Sequence, residues 1–106
     1  MPKYMVKAKY TVEGTKGLLK DGGSGRKTAI EALAKNAGGK LEAMYYAFGE
    51  DDLFMVFDLP DNASAAALSL TVSASGAGNT TVIALLSIAE MDEAAKKNIA
   101  YKQPGK

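Results

Sequence analysis

The segment Leu53–Phe57 is apolar at five consecutive positions. Successive side chains of a strand point to opposite faces of the sheet, so a strand of this kind is apolar on both faces and needs a cover on each. The predicted strands on either side of it in the chain, Lys40–Phe48 and about Thr80–Leu86, also carry apolar residues on both faces. A chain with these strands must therefore form a sheet that is covered on both of its faces.

The first segment of the chain alternates between two sets of side chains, which is typical of a half-buried strand. The stretch Thr11–Gly25 after it is rich in glycine and charge. We expect no more than one or two helical turns there, around Leu18 and Leu19. Ser24 is then the predicted N-cap of a helix over about Gly25–Ala37. The alternating segment carries Tyr4, Val6, Ala8 and Tyr10 on one face and Lys3, Met5, Lys7 and Lys9 on the other.

Cap residues mark two further helices. Asp61 or Asn62 caps a helix that runs to about Ser75. Ser87 and Glu90 have the spacing of a capping box at the start of a third helix. The order is then strand, helix, strand, strand, helix, strand and helix, and right-handed crossovers place both main helices on one face of a four-stranded antiparallel sheet. We predict a single α+β domain over residues 1–106, with a ferredoxin-like βαββαβ fold and a C-terminal helix.

Both main helices cover the same face, so the other apolar face lacks a cover within the chain. Unless the third helix folds back across it, the sequence favours a homodimer in which two sheets pack face to face and form a closed or nearly closed barrel. We expect Met44, Tyr46, Met55 and Phe57 to lie in the space between the sheets. A space that they fill completely would indicate a purely structural interface.

A few polar side chains on these strands are candidates for ligand binding. Lys7, Lys9 and Glu42 lie on segments that are otherwise committed to burial, and an apolar chamber with a few polar groups can hold a small, partly apolar molecule. Tyr46 adds a hydrogen-bonding group to this set. The alternative is that the charged side chains are solvated at strand ends or pair with one another.

The glycine-rich stretch Gly22–Thr28 is a candidate anion site, because backbone amides at the start of a helix bind phosphate or carboxylate groups. Arg26 is the one arginine of the chain, so any bidentate contact with an anion there must come from it. The spacing is not that of a Walker loop, and a flexible turn with a cap is the alternative interpretation.

The composition excludes several kinds of chemistry. The chain has no cysteine and no histidine, which excludes thiolate nucleophiles, serine–histidine triads, zinc sites of the usual kind and histidine-ligated haem. The acidic run Glu50–Asp52 and Asp58 match no EF-hand loop, so we expect no metal site and no cofactor. A net charge of +1 gives no basic field for nucleic acid. No apolar run reaches the length of a membrane span, and we expect a cytoplasmic protein without a membrane partner.

Short motifs spread over most of the chain resemble the GYD-domain proteins, small bacterial and archaeal chains placed among the dimeric α/β-barrel folds. The resemblance implies the ferredoxin-like fold and a homodimer, and it assigns no activity. The motifs are Tyr10–Thr11, Glu13–Gly14, Lys16–Leu19, Gly23–Arg26, Gly38–Glu42, Ala47–Asp52 and Asp58–Ser64.

Gly49 and Asp52 match the motif that names the family, whereas Asp51 stands where the family has tyrosine. Related barrels include cofactor-independent monooxygenases and isomerases, so three functions stay open. The first is a homo-oligomeric barrel that binds a small, partly apolar molecule between its sheets. The second is a cofactor-independent enzyme of the monooxygenase or isomerase type. The third is a structural or interaction module without a ligand.

Overall fold

The computed structural model describes residues 1–106 and contains one antiparallel sheet of four strands with three helices. The elements in chain order are β1 (Lys3–Tyr10), α1 (Val12–Asn36), β2 (Lys40–Tyr46), β3 (Leu53–Asp58), α2 (Asn62–Ala74), β4 (Gly78–Leu85) and α3 (Ile88–Lys96). The strand order β2-β3-β1-β4 places β1 and β3 at the centre. This topology confirms the α+β prediction and is compatible with the ferredoxin-like arrangement.

The core lies between the sheet and the helices α1 and α2. The predicted alternation of β1 is confirmed, because its apolar set is buried on the helix side while its lysines lie on the other side. Asp61 caps α2 as predicted, since its carboxylate accepts the amide hydrogen of Ser64 at 2.8 Å. The buried apolar residues are Tyr4, Val6, Ala8, Ile30, Ala34, Leu53, Met55, Phe57, Leu59, Ala65 and Leu68.

Helix α1 begins earlier than the sequence predicts. The hydroxyl of Thr11 accepts the amide hydrogen of Gly14 at 3.1 Å, so Thr11 is the N-cap of α1, and Ser24 lies two residues after a break at Gly22 without acting as a cap. Gly22 interrupts the helix with a φ of 74°, which glycine adopts without steric cost. A Cβ on Gly14 would lie only 1.8 Å from the carbonyl oxygen of Ala77, so glycine is what allows α1 to start against the α2–β4 connection.

A β-bulge in β2 changes which side chains of this strand face the helices. The pairing with β3 shifts between Leu41 and Ala43, with Glu42 as the additional residue. Leu41 and Met44 therefore both pack against the core beneath the helices. In a strand with strict alternation, Leu41 and Met44 would lie on opposite faces, so the bulge is the physical reason that both face the core.

The expectation that Met44, Tyr46, Met55 and Phe57 lie between two sheets is wrong. Met55 and Phe57 are buried under the helices, and Met44 packs against them. Tyr46 pairs with the buried Leu53, and its hydroxyl donates a hydrogen bond to α1. The other side of the sheet consequently presents a different set of residues.

Helix α3 leaves the end of β4 and does not fold back over the sheet. Its predicted capping box is confirmed: the hydroxyl of Ser87 accepts the amide hydrogen of Glu90, and the carboxylate of Glu90 accepts that of Ser87. Every residue from Leu86 to Lys106 is exposed. One face of the sheet is therefore left without a cover from its own chain. None of the three helices combines the length and apolar content that a membrane span needs.

Candidate functional site

The side of the sheet away from α1 and α2, which we call the open face, has an apolar centre. Met5 pairs with Val56 on one side and with Ile83 on the other, so these three side chains form a row across three strands. Tyr45 and Phe54 pair in the next row. Tyr45 is 73% exposed and Ile83 is 38% exposed. The patch is contiguous across all four strands, and patches of this kind on soluble proteins mark interaction surfaces.

An ion-pair network borders one end of the open face. The Nζ atom of Lys3 lies 2.8 Å from a carboxylate oxygen of Glu42 and 2.8 Å from one of Asp58. The Nζ atom of Lys40 lies 3.8 Å from the other oxygen of Asp58. The hydrogen bond from Lys3 lowers the pKa of Asp58, and the two carboxylates raise the pKa of Lys3. Glu42 is thus engaged by Lys3.

The stability that this network contributes should depend on pH. Lys3 holds the pKa of Asp58 below its ordinary value of 3.8 in the folded state, so the pairing contributes fully above about pH 4 and is lost as the pH falls through the lowered value. We expect the free energy of unfolding to be lower for Asp58→Asn than for the wild type near neutral pH, with the difference narrowing below about pH 4. Urea unfolding across this range measures the difference, and one that stayed constant would contradict the assignment.

Lys7 and Lys9 lie towards the other end of the open face. Lys7 pairs with Phe54, so it borders the apolar centre, and its side chain is 33% exposed. Its Nζ atom is 3.7 Å from an oxygen of Asp51, which is a long ion pair. Lys9 lies next to the end of β1 and is exposed. Of these two lysines, only Lys7 would be enclosed if a second layer covered the centre of the face.

Arg26 and Tyr46 lie on the helix side, beside the kink in α1. The hydroxyl of Tyr46 donates to the carbonyl oxygen of Gly23 at 3.3 Å. The Nη1 atom of Arg26 is 3.6 Å from an oxygen of Asp21. Tyr10 completes this cluster: burial raises its pKa, Tyr46 raises it further, and the positive charge of Arg26 opposes the change. The Gly22–Thr28 stretch thus carries Arg26 towards two tyrosines and an apolar surface.

A model of the GYD domain family matches residues 4–95 of the chain, from the second residue of β1 to the last turn of α3. The chain belongs to the GYD domain family. The resemblance drawn from its short motifs is therefore confirmed. No curated protein and no solved structure shows significant similarity to this GYD domain.

Gly49 and Asp52, which resemble part of the motif that names the family, lie in the β2–β3 hairpin of this GYD domain. The carboxylate of Asp52 accepts the amide hydrogen of Tyr10 at 2.9 Å, and the amide of Asp52 donates to the carbonyl oxygen of Ala8 at 2.9 Å. These two bonds attach the hairpin to the end of β1. Gly49 is exposed at the tip, where an added Cβ would meet nothing within 4 Å. Asp52 therefore has a clear structural role.

The structure separates the five candidate ligand-binding residues of this GYD domain into three places. Glu42 belongs to the ion-pair network at one end of the open face, and Lys7 and Lys9 lie towards the other end. Arg26 and Tyr46 come together on the helix side, with Tyr10, which the sequence placed on the apolar face of β1. No group of three or more acidic side chains is arranged to hold a metal ion.

Proposed function

We propose that this GYD domain acts as a homodimer in which the open faces of two copies pack together and enclose a small, partly apolar molecule. One observation carries the proposal: the open face has a contiguous apolar centre, and α3, the one element that could cover it within the chain, is exposed along its whole length. Burying this patch removes apolar surface from water, which is the main driving force of association.

A second copy is the occupant that the charges of the open face favour. At one end Lys3 and Lys40 accompany two carboxylates, and at the other end Lys7 and Lys9 accompany Asp51. Each end thus mixes cations and carboxylates around an apolar centre. An identical face, rotated by a two-fold axis that lies in the interface, meets both signs of charge at either end. A uniformly charged partner would not fit this distribution.

The position of Lys7 is the observation that favours a bound molecule between the sheets. If a second sheet covers the open face, the ammonium group of Lys7 lies away from water, where a charge needs a partner. Its ion pair with Asp51 is long, at 3.7 Å. A small molecule with one anionic group and an apolar body would pair with Lys7 and contact Phe54 and its neighbours.

The homodimer is tested by placing a charge on the open face. Tyr45→Glu and Ile83→Glu each put a carboxylate into the proposed interface, where two symmetry-related copies repel and lose apolar contact. We expect the wild type to be dimeric at micromolar concentration and both variants to dissociate at least about tenfold more readily, a change of about 1.4 kcal/mol. Light scattering coupled to size-exclusion chromatography measures the molar mass.

The matched control is Leu70→Glu. Leu70 lies on α2, away from the open face, and is 70% exposed, close to the exposure of Tyr45. It should leave the dimer intact. A monomeric wild type, or equal dissociation of all three variants, would remove the proposal.

The bound molecule is tested separately by native mass spectrometry of the freshly purified protein. A dimer that carries extra mass, and loses it in Lys7→Gln while remaining a dimer, supports ligand binding between the sheets. A dimer without extra mass supports the structural module instead.

A further inference from the structure

Helices α1 and α2 stand apart on the sheet and leave a seam between them. α1 packs on β2 and β1, whereas α2 packs on β4, and the backbones of the two helices approach each other closely at few positions. Beneath the seam lies a small apolar cavity of about 30 Å³, and beside it lies a groove of about 220 Å³ that opens to solvent. The cavity and the groove share Arg26, Ile30, Leu33, Val72 and Ala77.

Arg26 is the one charged residue that lines either space. The guanidinium has five N–H donors in a planar fork that fits a carboxylate. Its ion pair with Asp21, at 3.6 Å, is too long for a strong hydrogen bond. Its other polar neighbour is Tyr10, so the guanidinium of Arg26 has no closely bound carboxylate and can pair with an anionic ligand.

The other polar groups at the groove are already bonded within α2. The hydroxyl of Thr71 donates to the carbonyl oxygen of Ala67 at 2.7 Å, and the hydroxyl of Ser75 donates to that of Val72 at 2.6 Å. The hydroxyl of Ser75 also accepts the amide hydrogen of Ala77 at 3.2 Å, and neither hydroxyl supplies a charge or a free donor for a carboxylate. The groove consequently pairs one cation with walls that are mostly apolar, which is the usual composition of a small-molecule site.

We propose that the groove between α1 and α2 binds a small monocarboxylate with an apolar body about the size of one ring. The guanidinium of Arg26 binds the carboxylate of this ligand. Ile30, Leu33 and Val72 contact its apolar body. The volume of about 220 Å³ lies below the roughly 300 Å³ of typical drug-sized pockets and above the roughly 150 Å³ that encloses a benzene molecule. A dianion fits poorly, because the apolar walls offer nothing to pair with a second charge.

This site lies on the helix side of the sheet, so it is independent of the homodimer and of any molecule between the sheets. A ligand of the open face would contact Met5, Lys7 and Phe54. A ligand of the groove would contact α1 and α2 instead. The two proposals can therefore fail separately.

The test is a titration of the ¹⁵N-labelled protein with benzoate, followed by two-dimensional NMR. We expect the amide signals of Ile30, Leu33, Thr71 and Val72 to shift in a saturable way. Arg26→Gln should weaken benzoate binding about tenfold or more, because it removes the charge-assisted hydrogen bonds to the carboxylate. Lys27 is the next residue in the chain and is exposed. Lys27→Gln therefore removes the same charge outside the groove and should change the affinity for benzoate less than about twofold. Benzamide, which has the same ring without the charge, should bind the wild type about tenfold more weakly than benzoate.

A second pair of variants tests the groove without changing its charge. Ala29 is exposed and lines the groove, so Ala29→Phe should fill it and abolish the benzoate-induced shifts. Ala32→Phe adds the same side chain to the same helix at an exposed position outside the groove and should bind as the wild type does. Three outcomes would overturn the proposal: no saturable shifts, shifts confined to the open face, or equal effects of Arg26→Gln and Lys27→Gln.

Discussion

Replacing Phe57 with alanine should lower the free energy of unfolding by about 3–5 kcal/mol. Phe57 is 0% exposed near the end of the central strand β3, where it pairs with Tyr4 on one side and Leu41 on the other. Truncation removes the transfer free energy of the ring and leaves a cavity that these neighbours close only in part. Urea unfolding followed by circular dichroism measures the change.

Phe48 supplies the matched control, because it is fully exposed beyond the end of β2. Phe48→Ala deletes the same ring from a position that is already in contact with water, and it should change the free energy of unfolding by less than about 0.5 kcal/mol. Similar losses for the two variants would mean that Phe57 does not occupy the centre of the core.

Gly39→Ala should cost about 3 kcal/mol, which is large for the addition of one methyl group. An added Cβ would lie 1.8 Å from the carbonyl oxygen of Asp58 and 3.0 Å from a side-chain carbon of Leu59. The first of these atoms belongs to the backbone of the neighbouring strand, so the clash is relieved only if β2 and β3 move apart. The free energy of unfolding of the variant, measured as for Phe57→Ala, is the readout.

Gly17 is the glycine against which this variant should be compared. It lies within α1, and an added Cβ there would meet nothing within 4 Å. Gly17→Ala should therefore stabilise the protein by roughly 0.5–1 kcal/mol, because alanine has the higher helix propensity. The two glycine-to-alanine variants are expected to change stability in opposite directions, and the same sign for both would contradict the close approach at Gly39.

Local signals in the sequence predicted the element order and most helix caps correctly. The alternation in β1, the cap at Asp61 and the capping box at Ser87 each depend on residues within a few positions of one another. Such features are readable from the sequence because their physical cause is local. The family was also recognisable from short motifs, although these motifs say little about chemistry.

Features that depend on distant residues were not predictable. The bulge at Glu42 is visible only once β2 is paired with β3, and it reversed the expected direction of Leu41. The close approach of Gly14 to Ala77 joins residues far apart in the chain, so the need for glycine at this position could not be predicted. For the same reason, the sequence grouped Lys7, Glu42 and Tyr46 into one candidate site that the structure distributes over both sides of the sheet.

Self-association, the ligand between the sheets and an enzymatic activity stay predictions about this GYD domain. The structure supports the first through the uncovered apolar centre of the open face. Light scattering tests self-association, and native mass spectrometry tests the bound molecule.

Strand β1 carries two surfaces at once, since Met5 and Lys7 belong to the open face while Val6, Ala8 and Tyr10 line the helix side. Insertion or deletion of one residue in this central strand would exchange the two sets of side chains. The edge strand β2 already accommodates an additional residue at its bulge. Insertions and deletions of one residue should therefore be tolerated in β2 and strongly destabilising in β1. A redesign of either surface must keep the number of residues in β1 unchanged.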